Sequence, residues 1–370
     1  MSHGTPRRRT VRRVLLVALV VVLLLVAAGI GGYLYQNVTT FDKAMTAVRE
    51  AGFVEREARV DGVRLAYAEG PDNGEPLLLI HGQGSRWQDY MKVLPELARE
   101  HHVFAVDVPG HGASGRLDPR RYTNVFVGDV LADFVEQVIG EPALVSGHSS
   151  GGLLALRIAS AHPELVRGLL LEDPPLFSST MPRLVKTTGG AMLVLADEYL
   201  KAGSPHADYQ RYFLEHSDYF AFFGPLAGPI KNHAVSKATE QPGEPVELFY
   251  LPPVVTVFFQ GLVDYDPEFG AAWVRDGGRW YDGFDTEAAL RAVRVPTVLV
   301  HTNYFEARTG TAYDDRGILM AAMDSHDVSR ALDLLPRGTQ LVQVQSGHLV
   351  HFERADAYLD AFRKLDARVH

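Results

Sequence analysis

Residues 143–151 read Ala-Leu-Val-Ser-Gly-His-Ser-Ser-Gly, and a serine centred in Gly-x-Ser-x-Gly suits nucleophilic attack on a carbonyl carbon. Such a serine sits on a sharp turn between a strand and a helix, where β-carbons at the flanking positions would collide. The context is right: apolar Ala143 to Ser146 leads into Gly147-His148-Ser149-Ser150-Gly151, and Gly152-Leu153-Leu154-Ala155-Leu156 continues as a helix-forming stretch. Ser149 is therefore the candidate nucleophile, because it alone stands between both glycines at the required spacing. The backbone N–H of Ser150 is expected to donate to the oxyanion of a tetrahedral intermediate. A second donor should follow an earlier strand, and Leu77-Leu78-Leu79-Ile80-His81-Gly82-Gln83-Gly84 supplies a strand ending in a flexible turn. The amide of Gln83 is the expected donor there, with His81 in a structural hydrogen-bonding role.

Groups so far apart in sequence need a scaffold. Short apolar segments alternate with helix-like stretches, which predicts an α/β fold with a mostly parallel sheet flanked by helices. Strands are expected at Arg64–Ala68, Leu77–His81, Val103–Asp107, Ala143–Ser146, Gly168–Glu172, Thr297–His301 and Leu341–Val344. Asn124 to Ile139 carries Val127, Val130, Leu131, Phe134, Val135 and Val138 at three- and four-residue steps, the pattern of one apolar helix face. Between Pro174 and Arg294 the alternation stops and aromatics accumulate, among them Tyr219, Phe220, Phe222, Phe223, Phe258 and Phe259. A segment this long is not a plain loop. It is expected to form an inserted, mainly helical cap over residues 176–293, between core segments 51–175 and 294–370.

With 46% hydrophobic residues and a formal net charge of −9, the chain suits a packed body and gives no electrostatic reason to expect nucleic acid. The one marked basic cluster, Arg7, Arg8, Arg9, Arg12 and Arg13, closes a tail at residues 1–13. It precedes an uncharged run over 14–35, long enough for a transmembrane signal-anchor in a lipid bilayer. Residues 36–50 then form a linker or helix. The arginines favour a cytoplasmic N-terminus with the catalytic body outside; a cleaved secretory signal is the alternative. The chain has no cysteine, so its stability does not rest on disulfides. Asn37-Val38-Thr39 fits a glycosylation acceptor.

The set of motifs, His81-Gly82-Gln83-Gly84, then Asp107-Val108-Pro109-Gly110-His111-Gly112-Ala113-Ser114, then Gly147 to Gly151, then Ser346-Gly347-His348, resembles the α/β-hydrolase superfamily in order and spacing. The resemblance covers nearly everything after residue 50 except the cap, and is nearest to capped esterase-like, haloperoxidase-like and carbon–carbon bond hydrolase members. It implies His348 as the base, in the loop after the last strand, with His351 supporting that loop or the final helix. The acid departs from the family pattern, since the usual Asp position after the penultimate strand holds Phe305. Four carboxylates remain open: Asp173 or Glu172 at the end of the preceding strand, Asp324, and Glu306.

The resemblance implies a serine hydrolase that cleaves a small to medium, partly apolar ester or related carbonyl compound through an acyl-enzyme, with no cofactor and no metal. Carbon–carbon bond hydrolysis and acyl transfer stay open on the same residues. So does a catalytically silent binding protein that keeps the fold. The motifs select neither a natural substrate nor an oligomeric state.

Overall fold

Leu77, Leu78, Leu79 and Ile80 are fully buried, yet they belong to two separate cores: Leu78 and Ile80 pack on one side, Leu77 and Leu79 on the other. Successive side chains on a strand point to opposite faces, so an unbroken apolar run demands cover on both. The same division separates Ala143 and Val145 from Leu144, and Leu169 and Leu171 from Leu170. The computed structural model describes residues 6–370, with side chains from Thr10 onward, and joins these runs into one eight-stranded sheet.

The strands are β1 (Val54–Val60), β2 (Val63–Glu69), β3 (Glu75–Ile80), β4 (His101–Val106), β5 (Ala143–His148), β6 (Val166–Glu172), β7 (Thr297–Thr302) and β8 (Gln340–Val344). Their spatial order is β1-β2-β4-β3-β5-β6-β7-β8. The β1–β2 and β2–β4 pairs are antiparallel, and every other pair is parallel. All the strands expected from the sequence form. β1 was not among them, because Val-Glu-Arg-Glu-Ala-Arg-Val is a solvent-facing edge with few apolar residues. Its signal is the Asp61-Gly62 turn, where both residues take positive φ as a tight hairpin requires.

The first four helices are α1 (Pro6–Glu50), α2 (Leu94–Leu97), α3 (Asn124–Phe134) and α4 (Ser150–Ala161). Thr123 caps α3 by accepting from the Phe126 N–H at 3.1 Å. The helix expected to reach Ile139 runs its last turn, Val135–Ile139, in the wider π form, and Gly140 closes it at φ 82°. Between β6 and β7 lie α5 (Thr188–Lys201), α6 (Tyr209–His216), α7 (Ala227–Glu240), α8 (Pro253–Leu262), α9 (Pro267–Ala271) and α10 (Thr286–Ala292). α5, α6, α8 and α9 pack among themselves, whereas α10 packs on α4 and α12. After β7 come α11 (Tyr304–Thr309), α12 (Ser325–Leu334), α13 (Val350–Glu353) and α14 (Ala355–Asp366).

At 1.5 Å per residue, α1 is roughly 65–70 Å long. Residues 1–5 of the basic tail lie outside the described residues; residues 6–13 form the first turns of α1. The 14–35 stretch is exposed, and α1 is long and apolar enough to cross a membrane. Its last turns behave differently: Val48 is buried in the core shared with α14, and Phe41, Ala44 and Met45 pack against it. The Asn37 amide, only 9% exposed, donates to the Phe249 carbonyl at 3.1 Å, so the glycosylation acceptor read from the sequence is already engaged.

Candidate active site

Six parallel strands bring their C-terminal ends to one edge of the sheet, the place where open α/β sheets bind ligands. β5 ends there in the serine turn. Ser149 has φ 53° and ψ −123°, a backbone conformation that costs energy for any side chain and is typical of a strained functional turn. The flanking glycines are obligatory. A β-carbon at Gly147 would lie 2.3 Å from the Gly151 carbonyl oxygen, and one at Gly151 would lie 2.4 Å from the carbonyl oxygens of Ile80 and His81. The Ser149 N–H donates to the Glu172 carbonyl at 2.9 Å, which ties the turn to the neighbouring strand.

The loop after β3 presses on this turn, since a β-carbon at Gly82 would sit 2.9 Å from that of Ser149. His81 anchors the loop: its Nδ1–H donates to the Gly82 carbonyl at 2.7 Å, and its Nε2 accepts the Val108 N–H at 3.0 Å. Burial lowers its pKa to about 4, so the ring is neutral in the tautomer these bonds require. By holding the Gly82 carbonyl, His81 turns the trans-planar Gln83 N–H the opposite way. Among the described residues, neither the Gln83 nor the Ser150 amide has a hydrogen-bond acceptor. The Gln83 side chain is held separately, with Nε2 donating to the Tyr265 hydroxyl at 3.0 Å.

His348 reaches the same edge in the loop after β8. Its Nδ1–H donates to Asp173 Oδ2 at 2.7 Å, and its carbonyl accepts the His148 Nε2–H at 3.0 Å. His148 immediately precedes Ser149, so this bond docks the histidine loop on the serine turn; the two imidazole rings lie 4.6 Å apart. Glu353 holds the loop from behind by accepting the Gly347 N–H at 2.9 Å and the Leu349 N–H at 3.4 Å. With Nδ1 committed to a carboxylate, Nε2 is the nitrogen left to take a proton.

Asp173 is fully buried and sits at φ 45°, a second strained position at the end of β6. Thr302 donates to it twice, through its hydroxyl to Oδ2 at 2.7 Å and its N–H to Oδ1 at 3.1 Å. His301 Nδ1 lies 3.5 Å from Oδ1. Burial alone would raise the pKa of Asp173, but His301 and His348 outweigh it and hold the carboxyl well below the usual range. Burial likewise works against a charged His348, yet the bond to Asp173 and its negative charge raise the pKa above the ordinary histidine value.

The other three carboxylates go elsewhere. Side chains adjacent on a strand point apart, and Glu172 accordingly faces His351, whose Nδ1 is 2.9 Å from both of its carboxylate oxygens. Asp324 caps α12, accepting the Asp327 N–H at 2.8 Å, and also accepts from the Tyr313 hydroxyl at 2.6 Å and Arg183 at 3.0 Å. Glu306 lies on the short helix α11 with no ion pair among the described residues. Sequence reasoning passed over Thr302, His148 and Glu353. Only His148, inside the serine motif itself, carried a signal that could have been read.

The model of the alpha/beta hydrolase family matches residues 77–361. The 2-hydroxymuconate semialdehyde hydrolase of Pseudomonas sp. (strain CF600) is 27% identical over 261 residues, covering 70% of this chain and 79% of that protein. A pimeloyl-[acyl-carrier protein] methyl ester esterase of Neisseria meningitidis is 39% identical over 101 residues, 27% of this chain and 37% of that protein. Among solved structures, a bacterial membrane phospholipase A shares the fold at 24% identity and a TM-score of 0.57, covering 97% of this chain and 99% of that one. From the sheet order, the strained serine turn and the matched span together, the chain belongs to the alpha/beta hydrolase family.

Proposed function

We propose that the chain is a membrane-anchored serine hydrolase that cleaves a small to medium, partly apolar ester through an acyl-enzyme. The observation that carries this reading is the 2.7 Å bond from His348 Nδ1 to Asp173 Oδ2, beside the strained turn bearing Ser149. His348 Nε2 takes the proton as Ser149 Oγ attacks the acyl carbon, and the amides of Gln83 and Ser150 stabilise the oxyanion. Asp173 holds the tautomer and stabilises the imidazolium. The protonated His348 then gives its proton to the departing alcohol, and water activated by the same ring releases the acid. The aromatic cap supports an apolar acyl or alcohol group.

The anchor reading is supported by α1 itself. Its apolar half runs unbroken into turns that pack in the body, and Tyr33 and Asn37 bond to the cap, so the helix is an integral part of the fold. The arginines before the apolar run favour an N-terminus on the cytoplasmic side, with the catalytic body outside.

The test is a p-nitrophenyl ester panel with the parent chain and Ser149→Ala, alongside fluorophosphonate labelling. Loss of both turnover and labelling in Ser149→Ala is expected; undiminished turnover would overturn the mechanism. A second reading, carbon–carbon bond hydrolysis, draws support from the likeness to 2-hydroxymuconate semialdehyde hydrolase. Turnover of that semialdehyde, with the ester panel inert, would favour it.

A further inference from the structure

The cap carries an apolar surface that the chemistry at Ser149 does not use. Ala221 to Ile230 reads Ala-Phe-Phe-Gly-Pro-Leu-Ala-Gly-Pro-Ile, ten residues without a charged or hydrogen-bonding side chain. Phe222 is 67% exposed and Leu226 61%, and Phe249, beside the Tyr250 that stacks on His233 of α7, is 50% exposed. Large apolar side chains grouped on a surface in this way mark an interaction site.

The neighbourhood of this surface points to its occupant. Tyr33, inside the apolar run of α1, donates its hydroxyl to the Tyr250 carbonyl at 3.3 Å, and Asn37 donates to the Phe249 carbonyl at 3.1 Å. These contacts hold the Phe249-Tyr250 loop at the end of the membrane-crossing stretch, where tyrosines mark the headgroup level. Tyr250 in turn bonds His233 Nδ1 at 2.9 Å and stacks on its ring. Leu226 is the N-cap of α7 and His233 lies seven residues on, with Ile230 between them buried in the core, so the strip begins about 10 Å along that helix from the anchored loop.

Aromatic rings pack inward from the strip into the core, where Phe220 and Phe258 are buried. Phe222 lies 4.2 Å from Phe223, Phe223 6.4 Å from Phe220, Phe220 5.3 Å from Tyr219, and Tyr219 6.0 Å from Phe258, measured between ring centroids. Phe258 ends the series against the oxyanion loop, where a β-carbon on Gly84 would come within 2.6 Å of its ring.

From this we infer that the strip around Phe222, Leu226 and Phe249 rests on the lipid bilayer beside α1 and brings membrane-dissolved acyl esters to the Ser149 side of the sheet. The inference rests on the anchored-hydrolase reading above and narrows its substrate class to esters with a lipid-soluble chain.

The test uses the full chain reconstituted in phosphatidylcholine vesicles. Because the chain has no cysteine, Phe222→Cys, Phe249→Cys and the control Glu141→Cys each offer one thiol for an environment-sensitive fluorophore. Labels at 222 and 249 are expected to shift to the blue and to be quenched by spin-labelled lipid, while the label at 141 stays in water. Labels that match the one at 141, or that are shielded without lipid quenching as a second copy of the chain would do, overturn the surface.

In parallel, the triple variant Phe222→Ser, Leu226→Ser, Phe249→Ser should lose about tenfold in hydrolysis of vesicle-embedded p-nitrophenyl palmitate. Its rate on water-soluble p-nitrophenyl acetate should not change. A parallel change on both esters, or on neither, overturns delivery from the bilayer. If the parent chain turned over neither ester, the hydrolase reading would fail. Lipid quenching at 222 and 249 would then still support the surface.

Discussion

Burial and charge oppose each other at His348, and in the proposed mechanism their balance sets the pH at which this ring acts as the base. Its ring retains 40% exposure, and the adjacent Asp173 carboxylate is fully buried, charged and held by Thr302 as well. Because Asp173 favours the imidazolium, the acidic limb of kcat/KM should lie above the ordinary histidine value, with activity rising as the ring loses its proton. Asp173→Asn removes the charge and leaves burial, which favours the neutral ring. The limb then moves to lower pH while the plateau falls by roughly 10⁴. Glu172→Gln is the comparison: it faces His351, so its plateau should stay far above that of Asp173→Asn. Equal losses in the two pH profiles would mean that the acid is misassigned.

At the scale of elements, the loop bearing Gln83, the proposed oxyanion loop, is clamped between the serine turn and helix α8. A β-carbon at Gly261 on α8 would lie 2.2 Å from the Gly84 carbonyl oxygen, a backbone atom that cannot step aside. Gly261→Ala should therefore push α8 and the loop apart, with a fall in kcat of about ten- to a hundredfold as the Gln83 amide is displaced. The hairpin joining β1 to β2 gives the contrast. Gly62 has open space for a β-carbon but sits at φ 82°, so Gly62→Ala should cost about 1 kcal/mol in denaturant titrations and leave kcat unchanged. A loss of activity at Gly62 comparable to that at Gly261 would contradict the localisation of the effect to the clamp.

Over the whole molecule, α1 has two unlike parts. Its exposed apolar half is suited to lipid, whereas Val48 belongs to the core on the α14 side of the sheet and Phe41 packs against Phe352 with ring centroids 6.1 Å apart. Deleting residues 1–35 should leave the melting transition of the body largely in place. Deleting residues 1–50 also strips Val48 and its neighbours from that core, at a cost of about 2–4 kcal/mol, read as a lower midpoint in thermal or urea unfolding. Equal midpoints for the two truncations would show that the last turns of α1 contribute nothing to the body.

Local chemistry was enough to read the strand-to-helix turn at Ser149 and the buried strands. The glycine spacing around a strained serine and the unbroken apolar runs of β3, β5 and β6 are properties of adjacent residues, visible without coordinates. His348 needed the order of four motifs, because no local pattern joins it to Ser149. The edge strand β1 escaped because a strand half in solvent has little apolar signal. The carboxylate partner of His348 lay open among four candidates, two of them adjacent in the chain. Only the tertiary structure separates those two: the turn at the end of β6 sends Asp173 to His348 and Glu172 to His351, a matter of which way neighbouring side chains point. The same holds for the contact of α1 with the cap, which brings together residues more than two hundred positions apart. Sequence spacing carries the chemistry of a turn; distance across the fold is decided by how the sheet and its helices pack.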